Sequence, residues 1–331
     1  MKTITLEEHF ITPEFMQGPG RELMERFGEN QDPSPLALIY AHFIEQLADL
    51  DDLRIADMDA AGIDVQVLSL NSPGVEQLDP AAAVTLARQA NDYLGAAIQR
   101  HADRFGGFAA LPTASPDIAA AELERTVRDY GFKGAVINGH MHGRYLDDPF
   151  FWPILERAEA LQVPIYLHPT PPPQAVIQAS YTGNFSAQVS AQLAASGWGW
   201  HIETAVHILR IILSGAFDRY PHLQFIIGHL GEALPFMLPR LDDDLPTQLT
   251  RLERPIGDYL RENLYYTFSG FNFIPNFLDL LMQVGVDRIM FSADYPWASM
   301  QAARNFLEQL PLSPADRERI AHTNAERLLR M

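Results

Sequence analysis

Eight short runs of β-branched, aromatic and small residues alternate with longer amphipathic stretches along this chain, and that alternation narrows the possible folds more than any other feature. The runs cover residues 3–8, 65–70, 105–110, 134–138, 164–168, 224–229, 264–268 and 288–292. Between them lie stretches 50–61, 80–101, 116–130, 149–161, 202–217, 272–284 and 300–310, whose apolar residues recur at helical spacing. Strands separated by helices must run parallel, because only a crossover of that length returns the chain to the same end of the sheet. Eight such units close into a (β/α)8 TIM barrel, and 331 residues suit one barrel domain spanning 1–331. The tail, 314–329, reads as a last helix with Ser313 as its N-cap.

Two connections are longer than a barrel needs, residues 10–48 after strand 1 and 169–199 after strand 5. The first includes a candidate helix at 40–47 and the second opens on three consecutive prolines, 171–173. Both follow strands, so both are expected over the C-terminal mouth, where barrel enzymes build their pockets.

Composition then limits the chemistry. Hydrophobic residues make up 47% and charged residues 20%, enough for a large core and too ordered a mixture for general disorder. No apolar run approaches the roughly 20 residues that cross a bilayer. There is no cysteine, so disulfides, thiolate ligands and cysteine nucleophiles are excluded, leaving histidine and carboxylates as the strong metal ligands. A formal net charge of −18 disfavours nucleic acid and anionic membranes as partners. The opening residues lack the pattern of a signal peptide, so a cytoplasmic location is expected.

Histidines and carboxylates collect at the ends of the predicted strands. Glu7 and His9 lie two apart at the end of the first, so strand alternation sends them to one side and Glu8 to the other. His168 ends the fifth strand, His229 the sixth, and Asp294 follows the eighth. Taken singly, each has an ordinary alternative: an exposed strand end for Glu7 and His9, a satisfied core histidine for His168. Together they are four strands delivering metal-ligand types to one barrel rim, where catalytic residues of such barrels come from. Glu232 is three residues beyond His229 and is placed either to orient that imidazole or merely to favour a helix start.

The motifs Leu6-Glu7-Glu8-His9-Phe10, Tyr166-Leu167-His168-Pro169, Gly228-His229-Leu230-Gly231-Glu232, Ser292-Ala293-Asp294-Tyr295-Pro296 and Thr323-Asn324-Ala325-Glu326-Arg327-Leu328 resemble the amidohydrolase superfamily. More narrowly, nearly the whole chain is similar to its metal-dependent decarboxylases of γ-resorcylate (2,6-dihydroxybenzoate) and other hydroxybenzoates. The resemblance implies one divalent ion, Zn or Mn, held by Glu7, His9, His168 and Asp294. For such a decarboxylation Asp294 is expected to be the acid that protonates the ring carbon, His229 to polarise or deprotonate the ring hydroxyl, and Glu232 to fix the tautomer of that imidazole. Arg54 and Trp297 match substrate-binding positions, although Arg54 also suits a solvated helix face and Trp297 ordinary loop packing, and Arg240, after Leu238-Pro239 in the helix following His229, is a further candidate to pair with a carboxylate near the site. A small aromatic acid is the implied substrate, and a homodimer or homotetramer the implied assembly. Many hydrolytic members carry His-x-His after strand 1 and a lysine bridging two metals after strand 4. Here Glu7 replaces the first histidine and the nearest lysine, Lys133, precedes strand 4. That favours one metal and decarboxylation, with a metal-dependent amide, ester or lactone hydrolase as the alternative, and a scaffold that has lost catalysis as a third reading. His140, His142, His201 and His207 are left with surface or packing roles.

Overall fold

The computed structural model describes residues 1–21 and 35–331. The eight runs are strands β1 (Ile4–Phe10), β2 (Val65–Leu70), β3 (Phe105–Ala110), β4 (Gly134–Asn138), β5 (Ile165–His168), β6 (Phe225–Ile227), β7 (Leu264–Thr267) and β8 (Ile289–Met290). Each pairs in parallel with the next in sequence order, and a bridge between Leu6 and Ser292 brings the end of β8 back to β1. The barrel interior is filled by Ile4, Leu6, Val65, Val67, Phe108, Val136, Tyr166, Ile226, Tyr265 and Met290, one alternate residue set per strand. The opposite strand faces, including Phe10, Leu68 and Phe225, belong to the larger core under the helices.

Local chemistry starts and stops the helices. Asp79 accepts hydrogen bonds from the backbone N–H groups of Ala81 and Ala82 and opens Pro80–Arg100, with proline at the first helical position. Ser313 accepts from Asp316 N at 3.1 Å, as its position before Pro314 predicts. The tail is not a uniform helix: it widens to a π turn over Arg319–Thr323, where Ile320 O receives Phe291 N at 3.0 Å and ties the tail to β8. The helix expected at 202–217 starts earlier, as Gly199–Leu213, and is broken by left-handed Gly215. Among the described residues, helices Pro13–Gln17 and Pro35–Ala48 occupy the first long connection; the second carries Gln174–Ser180 and Ala187–Ala194. The helix expected at 40–47 is thus the end of a longer one, and part of that connection, 22–34, lies outside the described residues.

Four strands are shorter than their sequence runs, β6 and β8 by three residues each, and the ends of these two bear on the site. Strand β6 stops at Ile227 because His229 and Leu230 turn left-handed, with φ of 53° and 55°; β8 stops at Met290, four residues before Asp294 at φ 67°. Non-glycine residues seldom adopt such angles. Strand β1 contains the third departure. Its register to β2 skips from Leu6↔Val67 to Glu8↔Leu68, leaving Glu7 as a bulge at φ 64°. Strict alternation would point Glu7 and His9 away from the barrel interior that Ile4 and Leu6 fill. The bulge resets the phase, so Ile4 and Leu6 fill the barrel below while Glu7 and His9 face inward above them.

Candidate metal centre and active site

Four of the predicted residues converge at the C-terminal mouth. Ligand-type atoms of Glu7, His9 and His168 all lie within 4.8 Å of one another. Glu7 Oε1 is 3.5 Å from His168 Nε2, and His9 Nε2 is 3.2 Å from Asp294 Oδ1. Metal–donor bonds of about 2.0–2.2 Å place neighbouring donors about 3–3.6 Å apart, the spacing found here. Three of the four, His168, His9 and Glu7, are braced from behind. His168 Nδ1 donates to Pro169 O at 2.9 Å, which leaves the Nε2 lone pair turned to the centre, and His9 Nδ1 lies 3.4 Å from Ser69 Oγ. Glu7 Oε2 accepts from the hydroxyls of Tyr166 and Ser269, themselves linked through Thr267 Oγ1 at 2.7 and 2.8 Å.

The other oxygen of Glu7 tests whether a cation belongs there. Oε1 is fully buried yet has no hydrogen-bond partner, although buried carboxylate oxygens are almost always paired. It faces His168 and, at 3.9 Å, His229 Nε2. Burial pushes the Glu7 carboxyl up to about 8, with the His229 charge pulling against it, and raises Asp294 to about 7 against the same charge. Burial lowers His9 to about 3 and His168 well below the histidine range, so both imidazoles are neutral lone-pair donors. Two buried carboxylates and two neutral imidazoles, with one carboxylate oxygen left without a hydrogen-bond partner, suit one divalent ion of the Zn or Mn kind.

Beside this cup sits a hydrogen-bonded chain. Glu232 bonds His229 Nδ1 through Oε1 at 2.7 Å and His201 Nδ1 through Oε2 at 2.6 Å. Burial pulls the His229 imidazole down, but the Glu232 and Glu7 carboxylates outweigh it and hold it up at about 10; the same histidines pull Glu232 below the usual range despite its burial. Phe271, from the loop after β7, sets its ring 5.1 Å from His201 and 5.2 Å from His229. Glu7, His229, Glu232, Ser269 and Asp294 all have left-handed backbone. Each such residue costs about 1–3 kcal/mol, a load that accumulates where function requires a fixed side-chain direction.

His201 is a correction to the sequence reading, which gave it a packing or surface role. It sits near the start of a helix behind a long connection, so no strand-end position flagged it. The other three unassigned histidines are structural or exposed: His140 accepts from Gly143 N and meets Pro171 O, buried His207 accepts from Leu146 N, and His142 is exposed. Tyr166 and Ser269 were also missed. Tyr166 was legible, being two residues before His168 on the same strand face.

Two predicted substrate arginines are placed elsewhere. Arg54 is completely buried, and its guanidinium donates to the carbonyls of His9 at 2.7 Å, Gln46 at 3.0 Å and Asp49 at 2.9 Å and to Gln66 Oε1, beneath the Tyr295 ring. With its donors so committed, it braces the end of β1 from behind and does not reach the pocket. Arg54→Met is therefore expected to destabilise the fold by about 3 kcal/mol, read from the denaturant midpoint, through the carbonyls left unpaired. A tenfold rise in KM at unchanged stability would restore the substrate role. Arg240 lies on the exposed side of Leu234–Asp244, paired with Asp244 at 2.7 Å, and within one chain does not enter the site. Trp297 is at the rim: its indole N–H donates to Asn71 Oδ1 at 2.8 Å, and its ring lies against Phe43 beside an open groove of about 500 Å³.

A parallel eightfold barrel with carboxylate and imidazole ligands at its C-terminal mouth defines a metal-site barrel of the amidohydrolase kind. Residues 40–331 match the amidohydrolase family model, and the chain belongs to that family. It is 38% identical to the γ-resorcylate decarboxylase of Polaromonas sp. (strain JS666 / ATCC BAA-500), over 99% of this chain and 98% of the relative. Among solved structures it is similar to the dihydroxybenzoic acid decarboxylase from Polaromonas sp. JS666, with bound manganese and the inhibitor 2-nitroresorcinol. That match has TM-score 0.88 and 37% identity over 99% and 97% of the two chains. It is also similar to the 5-carboxyvanillate decarboxylase from Novosphingobium aromaticivorans, again with manganese (TM-score 0.90, 35% identity, 100% and 97%). No helix among the described residues is long and apolar enough to cross a membrane.

Proposed function

We propose that this chain is a metal-dependent, non-oxidative decarboxylase of an ortho-hydroxylated benzoic acid resembling γ-resorcylate, with the whole chain, 1–331, as one catalytic unit. The observation that carries the reading is the unpartnered Glu7 Oε1, set among two neutral imidazoles and Asp294 and flanked by the Glu232-held His229. Glu7, His9, His168 and Asp294 would hold the ion, Zn or Mn. Bound there, it supplies Lewis acidity and a template for the substrate carboxylate and the adjacent ring oxygen. Asp294 turns Oδ1 toward His9, and its Oδ2 lies toward Gly270, free to deliver a proton to the ring carbon. As the ring–carboxyl bond breaks, its electron pair stays on that carbon, takes this proton, and CO2 leaves. His229 stabilises the substrate oxygen by donating from Nε2, its Nδ1–H being held by Glu232. Trp297, anchored by Asn71, walls the ring at the rim.

A second copy of the chain is the proposed partner. Two packed helices, Leu234–Asp244 and Ile274–Val284, leave Phe236 75% and Met282 85% exposed, with Met237, Leu278 and the adjacent Phe273 also uncovered. Apolar exposure on this scale supports the reading of an association surface, and a homodimer or homotetramer is the proposed assembly.

Protein stripped of metal and reloaded with one equivalent of Mn or Zn is expected to release CO2 from 2,6-dihydroxybenzoate without an organic cofactor, and to carboxylate resorcinol in concentrated bicarbonate. Assay beside 5-carboxyvanillate tests which ring substitution is preferred. Hydrolysis of lactones or amides with no turnover of any hydroxybenzoate would overturn the reading in favour of a hydrolase.

A further inference from the structure

We propose that His201 is a positioning residue: it clamps Glu232 and, through that carboxylate, holds the His229 imidazole with Nε2 aimed at the metal pocket. The proposal rests on the decarboxylase reading for its kinetic test but on local geometry for its substance. A carboxylate with one bonded oxygen can swing about its last torsion, and an imidazole hanging from it swings as well. Here both oxygens are engaged at once, Oε1 by His229 Nδ1 at 2.7 Å and Oε2 by His201 Nδ1 at 2.6 Å. The two rings meet edge to face at 4.5 Å and 70°, and Phe271 closes over both. Removing His201 would free one oxygen and open space against the face of His229.

The protons of this chain are set as well. A lone pair on His201 Nδ1 would face a carboxylate, so Nδ1 carries the hydrogen. On the far side of the ring, Nε2 lies 3.0 Å from the Trp200 indole N–H and 3.1 Å from Ser196 O, so the imidazole is held at both nitrogens. Glu232 then receives two N–H groups, both from imidazoles, and its full charge stays directed along the His229 ring. Ser196 lies in the connection that follows β5 and Trp200 just beyond it, so the end of that connection is coupled to the site through His201 and Glu232. Groups that orient an active-site imidazole in this manner are worth about 10-fold to 100-fold.

The test compares His201→Ala with His201→Asn, whose amide N–H can replace Nδ1–H. Both are loaded with Mn and assayed on 2,6-dihydroxybenzoate. His201→Ala is expected to bind its metal normally and to lose about tenfold in kcat with KM within about twofold, whereas His201→Asn recovers most of the loss. In Zn-loaded, ¹⁵N-labelled protein, the hydrogen-bonded Nδ1–H resonance of His229 should vanish or move in the alanine variant and persist in the asparagine variant. Unchanged kcat, a rise in KM alone, equal impairment of both variants, or an unmoved His229 resonance would each overturn the proposal. If the unmutated protein released no CO2 from any hydroxybenzoate, the functional reading would fall, and the resonance comparison alone would still decide the role of His201.

Discussion

His229→Ala is expected to retain one metal per chain and a folded barrel while losing about 10²-fold or more in kcat, the scale of a positioned proton-handling group. The ring is beside the proposed ligand set and not within it: Nε2 stops 3.9 Å from Glu7 Oε1, and Nδ1 is committed to Glu232 at 2.7 Å. Removing it leaves the four proposed ligands in place, with Glu7, His9 and His168 still held by their own braces. Excess metal should not restore the variant, and recovery on adding metal would show that His229 had been a ligand.

Glu232→Gln supplies the pH test. The raised proton affinity of His229 comes from Glu232 and Glu7, and an ion on Glu7 offsets that carboxylate, leaving Glu232 as the main group that keeps the ring protonated. A group whose affinity is raised keeps its proton to higher pH. Neutralising Glu232 therefore lets His229 lose its proton at lower pH, and the alkaline limb of the kcat profile should move downward. The loss at neutral pH should be smaller than for His229→Ala, because the imidazole remains. An alkaline limb that stayed in place would disconnect Glu232 from the proton on His229.

Most of the barrel was legible in the sequence because period-2 and period-3.6 patterns report burial, and burial here is regular. Strands β2, β3 and β4 match their sequence runs residue for residue, and no helix start depends on distant contacts where Asp79 or Ser313 supplies a cap. Legibility failed where backbone geometry departs from a repeating element. Nothing in Leu6-Glu7-Glu8-His9 announces a bulge, yet the bulge decides that Glu7 joins His9 over the packed barrel interior. The early end of β6 has the same origin, a left-handed turn at His229 that only tertiary contacts can hold, and β8 ends where Phe291 N turns to Ile320 O of the tail. The arginines failed for a different reason. Position along a helix does not reveal whether a guanidinium finds carbonyls, as Arg54 does, or solvent and Asp244, as Arg240 does. His201 was invisible because its partner is 31 residues away and on another element.

Gly228→Ala is expected to reduce metal affinity by about 10²-fold or more without unfolding the barrel. The glycine sits between β6 and His229 with no left-handed φ, so alanine meets no backbone penalty there; the constraint is space. A Cβ at 228 would fall 2.6 Å from Glu7 Oε2, 3.1 Å from Glu7 Oε1 and 2.9 Å from Ser269 Oγ. All three atoms belong to one arrangement, the carboxylate that faces the metal pocket and the hydroxyl that holds it in place. To admit the methyl group, Glu7 must swing off the Tyr166 and Ser269 hydroxyls, and Oε1 then leaves its place opposite His168. Gly231→Ala is the control, because its Cβ would strike Pro235 and Tyr266 and its φ of 93° strains any side chain, yet none of those contacts is a proposed ligand. That variant should lower the melting temperature while binding metal normally once folded. Metal content after dialysis, a Mn titration and circular dichroism on both proteins separate the two effects. Stoichiometric metal in Gly228→Ala at one equivalent of Mn would mean that Glu7 does not hold the ion through the oxygen assigned to it.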